Sequence, residues 1–284
     1  MKIAHLSDIH FFRNQFDLKT LFSKRLLGTL NHYMNPKRHS VDFDLFELPE
    51  FLKGQGVTHV LISGDFTTTS NAKEYELASK FIKKLEDQGF KTFSIPGNHD
   101  HYTKKSDKDR RFYKYIKASN ELKEKGLAYE DLGEGFKCIL LDTVLATPLW
   151  SSQGLFSKNL EKRLSNLLNS IPKEQPLIVI NHFPVVKGER PQRHQMLRLE
   201  ALRELLESHS NILLYLHGHT HLSEFSTTKP LMINCGSLTL TKGGSFHIMD
   251  LTPNFLEVEA YTYQDKNWQV RIKKSFPFSI SANS

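Results

Sequence analysis

Polar side chains able to hold a metal ion sit directly behind a series of short apolar runs. Asp8 and His10 follow residues 2–6, Asp65 follows 57–62, and Asn98, His99 and Asp100 follow 92–95. His182 follows 177–180, and His219 and His221 follow 212–216. Seven of these, Asp8, His10, Asp65, Asn98, His182, His219 and His221, offer only oxygen and imidazole nitrogen. That donor set suits Mn, Fe or Zn more than a thiolate-preferring metal, and it is too large for one tetrahedral ion. Two ions fit the count. Taken singly, Asp or Asn behind Gly is an ordinary turn residue, and a lone His at an apolar strand end is commonly a hydrogen-bonded core group. Taken together, DxH, GD, GNHD, a lone His and GHTH, each behind a strand-like run, form a signal in several parts.

The elements that must position these groups can be read from periodicity. The runs at 2–6, 57–62, 92–95, 138–141, 177–180 and 212–216 have strand length, and several are rich in Val and Ile, as buried strands are. Between them, residues 71–88 place Ala78, Phe81, Ile82 and Leu85 on one helical face, with Ser70 or Asn71 as N-cap and Gly89 as the stop. Leu160, Leu164, Leu167, Leu168 and Ile171 repeat the pattern, as do Met196, Leu199, Leu202, Leu205 and Leu206. Alternating strand and helix predict an α/β layered fold, in which ligands gather at the carboxyl ends of the strands. After His221 the segments 231–235, 245–251, 256–263 and 268–273 read as strands, expected to form a second sheet packed on the first.

With 284 residues, 39% hydrophobic and 24% charged, 15 Gly and 11 Pro, the composition excludes a disordered chain, a collagen and a disulfide scaffold. No linker divides the chain, so 1–284 is expected to be one domain. Cys138 and Cys235 are too far apart for a redox pair or a zinc knuckle and lie in apolar runs, which points to reduced, buried thiols. Neither a signal-peptide pattern nor an apolar stretch long enough to span a bilayer is present, and the expected location is cytoplasmic. His5, His59 and His217 fall within strands and are expected to be interior groups. His101, His194 and His247 have no motif to support them.

The motifs Asp8-Ile9-His10, Gly64-Asp65, Gly97-Asn98-His99-Asp100, His182 and Gly218-His219-Thr220-His221 resemble the five motifs of the calcineurin-like metallophosphoesterase superfamily. That resemblance spans residues 8–221. It implies a four-layer αββα sandwich with two mixed β-sheets and a dinuclear metal site at the carboxyl ends of the strands. It also implies that Asp8, His10, Asp65 and His221 hold one ion and Asp65, Asn98, His182 and His219 the other, with Asp65 bridging. Mn or Fe is the expected pair, with Zn the other candidate. Two divalent ions bring more positive charge than two carboxylates remove. Such a pair lowers the pKa of bound water and clamps phosphoryl oxygens for in-line hydroxide attack, so no protein nucleophile is needed. By the same resemblance His99 protonates the leaving oxygen and Asp100 orients His99.

The net charge of +7 is concentrated. Residues 11–40 hold six Lys or Arg against one acid, and 101–125 hold nine against four, so each segment carries +5. Both leave the expected metal-bearing edge, and the stretches at about 11–48 and 101–125 are expected to be insertions forming a cap or rim that attracts anionic phosphate esters. Leu18, Phe22, Leu26 and Leu30 recur at four-residue intervals among Lys19, Lys24 and Arg25. Such a basic amphipathic helix packs on its domain or rests peripherally on an anionic membrane surface. The expected activity is that of a phosphodiesterase acting on a small or lipid-linked ester, similar to bacterial cyclic-nucleotide phosphodiesterases. Family members that cleave the pyrophosphate of UDP-diacylglucosamine in lipid A synthesis are a competing comparison, although their usual form has Arg where His99 stands. A nuclease is a further alternative, with Phe112, Tyr113 and Tyr115 beside Arg110 and Arg111 as its aromatic element. A non-catalytic scaffold on the same fold ranks last, because every motif is complete.

Overall fold

The computed structural model describes residues 1–13, 45–148, 150–186, 191–239 and 244–278. Its strands are β1 (Lys2–Leu6), β2 (His59–Ile62), β3 (Lys91–Ser94), β4 (Leu127–Gly133), β5 (Phe136–Leu141) and β6 (Leu177–Ile180). They continue with β7 (Ile212–His217), β8 (Ser223–Phe225), β9 (Leu231–Cys235), β10 (Ser245–Thr252), β11 (Phe255–Gln264) and β12 (Asn267–Pro277). The helices are α1 (Leu48–Gly54), α2 (Ala72–Asp87), α3 (Lys104–Lys108), α4 (Arg111–Tyr115), α5 (Asn120–Lys125), α6 (Lys158–Ser170) and α7 (Leu199–Glu207).

One sheet runs β12-β11-β10-β1-β2-β3 and the other β4-β5-β6-β7-β9-β8, and both are mixed. The alternation of side chains along a strand then produces four layers. Ala4 and Leu6 of β1 pack with Tyr75, Phe81 and Leu85 of α2, whereas Ile3 faces the other way, into the core between the sheets. In the second sheet Leu140, Ile178 and Leu214 face that inner core, while Ile139, Val179 and Tyr215 pack on Leu160, Leu164 and Leu202 of α6 and α7. The expected αββα sandwich is what forms.

Sheet membership differs from the sequence expectation. The C-terminal strands do not make a sheet of their own: β9 joins β7 in parallel, and β10 pairs antiparallel with β1. The six strands expected to share one sheet are likewise divided, β1 to β3 in one and β5 to β7 in the other. Apolar patterning reports that a strand is covered on both faces but carries no label for the sheet that receives it. Strands β4 and β8 escape the apolar pattern because both lie at sheet edges and carry polar residues such as Glu130, Asp131 and Glu224.

Helix α2 begins where the sequence places it. The Asn71 side chain accepts from Glu74 N at 3.0 Å, and the Glu74 carboxylate accepts from Asn71 N at 3.3 Å, a reciprocal cap that satisfies two otherwise unpaired donors. Asn71→Ala should therefore lower unfolding stability by about 1–2 kcal/mol, read as a lower urea midpoint with unchanged slope. An unchanged midpoint would show that the cap contributes nothing.

The segment 101–125 connects β3 to β4 through three short helices. Phe112 is fully buried against Phe66, and Tyr115 stacks on Tyr75, so these rings serve the core and are not a platform for nucleic-acid bases. The basic amphipathic stretch from Leu18 to Leu30 lies outside the described residues. Among the described residues, no helix is long and apolar enough to cross a membrane.

Candidate metal centre

The seven expected ligands meet at the carboxyl ends of strands from both sheets. Asp8, His10, Asp65, Asn98 and His99 come from the loops behind β1, β2 and β3, and His182, His219 and His221 from those behind β6 and β7. Main-chain bonds carry the pairing past the strand ends: Asp8 N donates to Gly64 O at 3.0 Å, His10 N to Asp65 O at 2.9 Å, and Gly218 N to His182 O at 3.1 Å. Bonds from His219 N to the Asp8 carboxylate and from His182 Nδ1 to Ser63 O then join the two sheets at the site.

The backbone there is strained. Asp8, His10, Asp65, His219 and His221 all adopt positive φ, between 52° and 69°. This left-handed region is uncommon for residues with a Cβ, and its concentration in one place is a mark of function. The adjoining glycines allow close approach. A Cβ on Gly97 would collide with the Asp65 carboxylate, and one on Gly218 with Ser7 and Asp8.

Each carboxylate is half engaged. Asp8 Oδ2 accepts from Ser7 Oγ at 2.6 Å and His219 N at 2.9 Å. Its Oδ1 is buried without a hydrogen bond and lies 3.1 Å from His221 Nε2 and 3.6 Å from His10 Nε2. Asp65 Oδ1 accepts from His99 N at 2.7 Å, while Oδ2 lies between two rings, 3.4 Å from His182 Nε2 and 3.8 Å from His10 Nε2. His182 donates Nδ1–H to Ser63 O at 2.8 Å, and His219 donates Nε2–H to His194 O at 2.8 Å. Carbonyls can only accept, so these bonds set the tautomers. Each ring thus turns its other nitrogen to Asn98 Oδ1, at 3.1 Å for His182 and 2.8 Å for His219. His10 Nε2 and His221 Nε2 are 3.1 Å apart. A buried convergence of acceptor lone pairs is costly unless cations or protons sit among them, so these residues fit a metal pair. Three overlapping groups, Asp8–His10–His221, His10–Asp65–His99 and Asp8–Asp65–His182, each bring their ligand atoms within 4.8 Å of one another.

Electrostatics agree with the geometry. Burial alone would raise both carboxyl groups, but the surrounding imidazoles hold Asp8 and Asp65 well below the usual range. His182 is pushed the other way, up to about 9, because Asp65 outweighs its burial. Burial drives His99 down to about 4 and His219 to about 3. The centre is built to keep its acids ionised and to attract positive charge.

His99 is half-buried, with Nδ1–H donated to Thr68 O at 2.7 Å and its ring stacked on Tyr102. Asp100 departs from its expected part. Its carboxylate accepts from Gly97 N at 2.9 Å, Thr67 N at 3.0 Å, Thr67 Oγ1 at 3.0 Å and Phe66 N at 3.2 Å, and so holds the loops that carry Asp65 and Asn98. Thr68 O, and not Asp100, receives the His99 ring proton. A four-donor cradle captured this acid because it ends the tight Gly97–Asp100 turn, closed by Asp100 N on Gly97 O at 3.0 Å.

A cavity of about 390 Å³ opens beside Asn98 and His99, lined also by Tyr102, Trp150, Arg193 and His194. Trp150 is 69% exposed. Sequence reasoning missed these lining residues, His194 included, because none belongs to a spaced motif; an exposed Trp can be recognised only once burial is known. Of the basic segment 101–125, only Tyr102 lines this cavity, so the expected rim is narrower on that side than its charge suggested.

The match to the calcineurin-like phosphoesterase family model covers residues 1–223, and the chain belongs to that family. In fold it is similar to a dimetal phosphatase from Danio rerio, with a TM-score of 0.68 at 14% identity over 98% of this chain and 99% of that one. It is also similar to the purple acid phosphatase PPD1 of yellow lupin, Lupinus luteus, with a TM-score of 0.57 at 12% identity over 96% of this chain and 53% of that one. At such identities the likeness is one of fold. Among curated proteins compared by sequence, none matches at a significant level. Family membership makes the chain a metal-dependent hydrolase of phosphoric ester bonds, with two divalent metal ions as its cofactors.

Proposed function

We propose that the chain is a phosphodiesterase acting on a small or lipid-linked phosphate ester. Asp8, His10, Asp65 and His221 would hold one ion and Asp65, Asn98, His182 and His219 the other. The position of Asp65 Oδ2 between His10 and His182 supports its role as the bridge. A donor set of oxygen and imidazole nitrogen favours Mn or Fe, with Zn next. When bound, the pair supplies Lewis-acid polarisation of the phosphoryl group and a water nucleophile active near neutral pH.

The chain's own residues do the rest. Asp100 keeps the Asp65 and Asn98 loops in place, and Ser7 turns the Asp8 carboxylate so that Oδ1 faces the centre. His99, with Nδ1 committed to Thr68, carries its transferable proton on Nε2 and delivers it to the leaving oxygen. Burial lowers this ring to about 4, and an anionic substrate beside it favours the protonated form.

One observation carries the diester reading: two cavities adjoin residues of the centre and share His194 in their linings. The His99 side has the 390 Å³ cavity. The His219 side has a groove of about 460 Å³ with Pro184, Val186, Phe225 and Met232 on its apolar walls. A diester has two organic groups to place and a monoester one, and the apolar walls suit an aromatic or acyl group. Two free, buried cysteines support a cytoplasmic location. We take 1–284 as one metallophosphoesterase domain.

The reading is tested with bis(p-nitrophenyl) phosphate beside p-nitrophenyl phosphate, after chelation and again after Mn²⁺ is restored. The diester should be favoured in kcat/KM by at least about tenfold, or ~1.4 kcal/mol of transition-state preference. Metal-restored cleavage that favours the monoester would overturn the diester assignment.

A further inference from the structure

A second group of ligating side chains lies behind the dinuclear site and shares none of its residues. His5 on β1 and His247 on β10 are directly opposed across an antiparallel pair, and Cys235 ends β9 in the other sheet. All three side chains are fully buried. One nitrogen of each ring and the Cys235 sulfur lie within 4.8 Å of one another.

The hydrogen bonding of these rings resembles that of metal-bound imidazoles, which hold the nitrogen away from the ion with an oxygen partner. His5 Nε2 is 2.9 Å from Ser63 Oγ, and His247 Nε2 is 2.8 Å from Ser223 Oγ. Nδ1 of both rings is buried with no hydrogen-bond partner. With the proton on Nε2, each Nδ1 carries a lone pair into the interior, where an unmet acceptor is costly. Burial also keeps both rings neutral, pushing His247 down to about 3 and His5 well below its usual value, so neither Nδ1 is satisfied by protonation near pH 7.

We propose that His5, His247 and Cys235 form a third metal site, for a single thiophilic cation such as Zn²⁺ or Cu⁺, that ties the two sheets together. The thiolate sets it apart from the dinuclear centre, whose donors are oxygen and imidazole nitrogen alone: two imidazoles and a thiolate select softer ions than Mg²⁺ or Mn²⁺. Cys235 now donates its S–H to His5 O at 2.9 Å, and on binding that proton leaves for solvent while the sulfur lone pair goes to the metal. A monovalent ion with one thiolate is neutral, and a divalent one leaves a single positive charge near Asp8. The cluster lies close beneath a groove. Phe225 lies against His247, with ring centroids 5.1 Å apart, and Phe225 and Ser223 line the 460 Å³ groove on the His219 side. The site is also coupled to the dinuclear centre, because Ser63 receives His5 on its hydroxyl and His182 on its carbonyl.

The test uses full-length protein from cells grown with Co²⁺, so that the metal is available while the chain folds. Nitrogen and oxygen ligands alone give Co²⁺ only weak visible bands, whereas a thiolate ligand adds an intense sulfur-to-cobalt charge-transfer band in the near ultraviolet. The expected result is that band, with metal content one equivalent per chain above that of Cys235→Ser. The band disappears in Cys235→Ser and persists in Cys138→Ser. Protein grown with zinc or with copper separates the two ions by elemental analysis, and X-ray absorption at the metal edge reports a sulfur neighbour without any variant. Absence of sulfur coordination in the wild-type protein under all three metals, or a charge-transfer band that survives Cys235→Ser, would overturn the proposal and leave the two Nδ1 atoms to buried water.

Discussion

Replacement of Asp65 by Ala is expected to remove most hydrolysis, by roughly 10³-fold or more in kcat/KM, together with loss of metal from both sides of the centre. The size follows from its position. Its Oδ2 lies between His10 and His182, which the proposed assignment places in opposite halves of the site, and its Oδ1 takes the main-chain N–H of His99. The same change thus removes a charge that two rings share and loosens the turn that presents Asn98. Asp65→Asn keeps the shape and the bond from His99 N while removing the charge, so it separates the metal role from the structural one. Elemental analysis of both variants should show fewer than two tightly held ions at the centre. Two retained ions would refute the bridging role.

His99→Ala should behave differently, keeping both ions while losing turnover. The bond that matters to the metal site is made by the His99 main chain, and it survives truncation of the ring. What is lost is the proton on Nε2. General-acid assistance contributes about 10²–10⁴ in rate, and the loss should appear in full for substrates with alkoxide leaving groups. With p-nitrophenolate, which leaves without a proton, the variant should stay close to wild type. The wild-type rate on poor leaving groups should also fall as pH rises past the pKa of this acid in the substrate complex, and the variant should lack that limb. Equal losses on both kinds of leaving group would instead assign the ring a packing role against Tyr102 and His10.

Much of the centre is legible in the sequence because its proposed ligands sit at fixed short offsets from buried strands. Asp8 and His10 follow β1 at two and four residues, and His219 and His221 repeat those offsets behind β7. The capped start of α2 at Asn71 is equally local, since both partners lie within three residues. What could not be read is whatever depends on a distant partner. That β9 continues one sheet while β10 continues the other is decided by register with β7 and β1, not by the composition of either strand. The role of Asp100 is set by donors from Phe66 and Thr67, more than thirty residues away. His194 reaches the centre through its carbonyl, which no side-chain motif records, and His5 and His247 become a pair only when β1 and β10 meet.

The most direct test of the dinuclear centre is electron paramagnetic resonance of the metal-free chain titrated with Mn²⁺, with diester hydrolysis followed in the same samples. Ligands this close, with Asp65 shared, should bring the two ions near enough to couple magnetically. A spin-coupled spectrum that grows in step with activity and reaches its limit at two equivalents is the expected result. Full activity at one equivalent, or two bound ions showing only the uncoupled signal of isolated Mn²⁺, would contradict it.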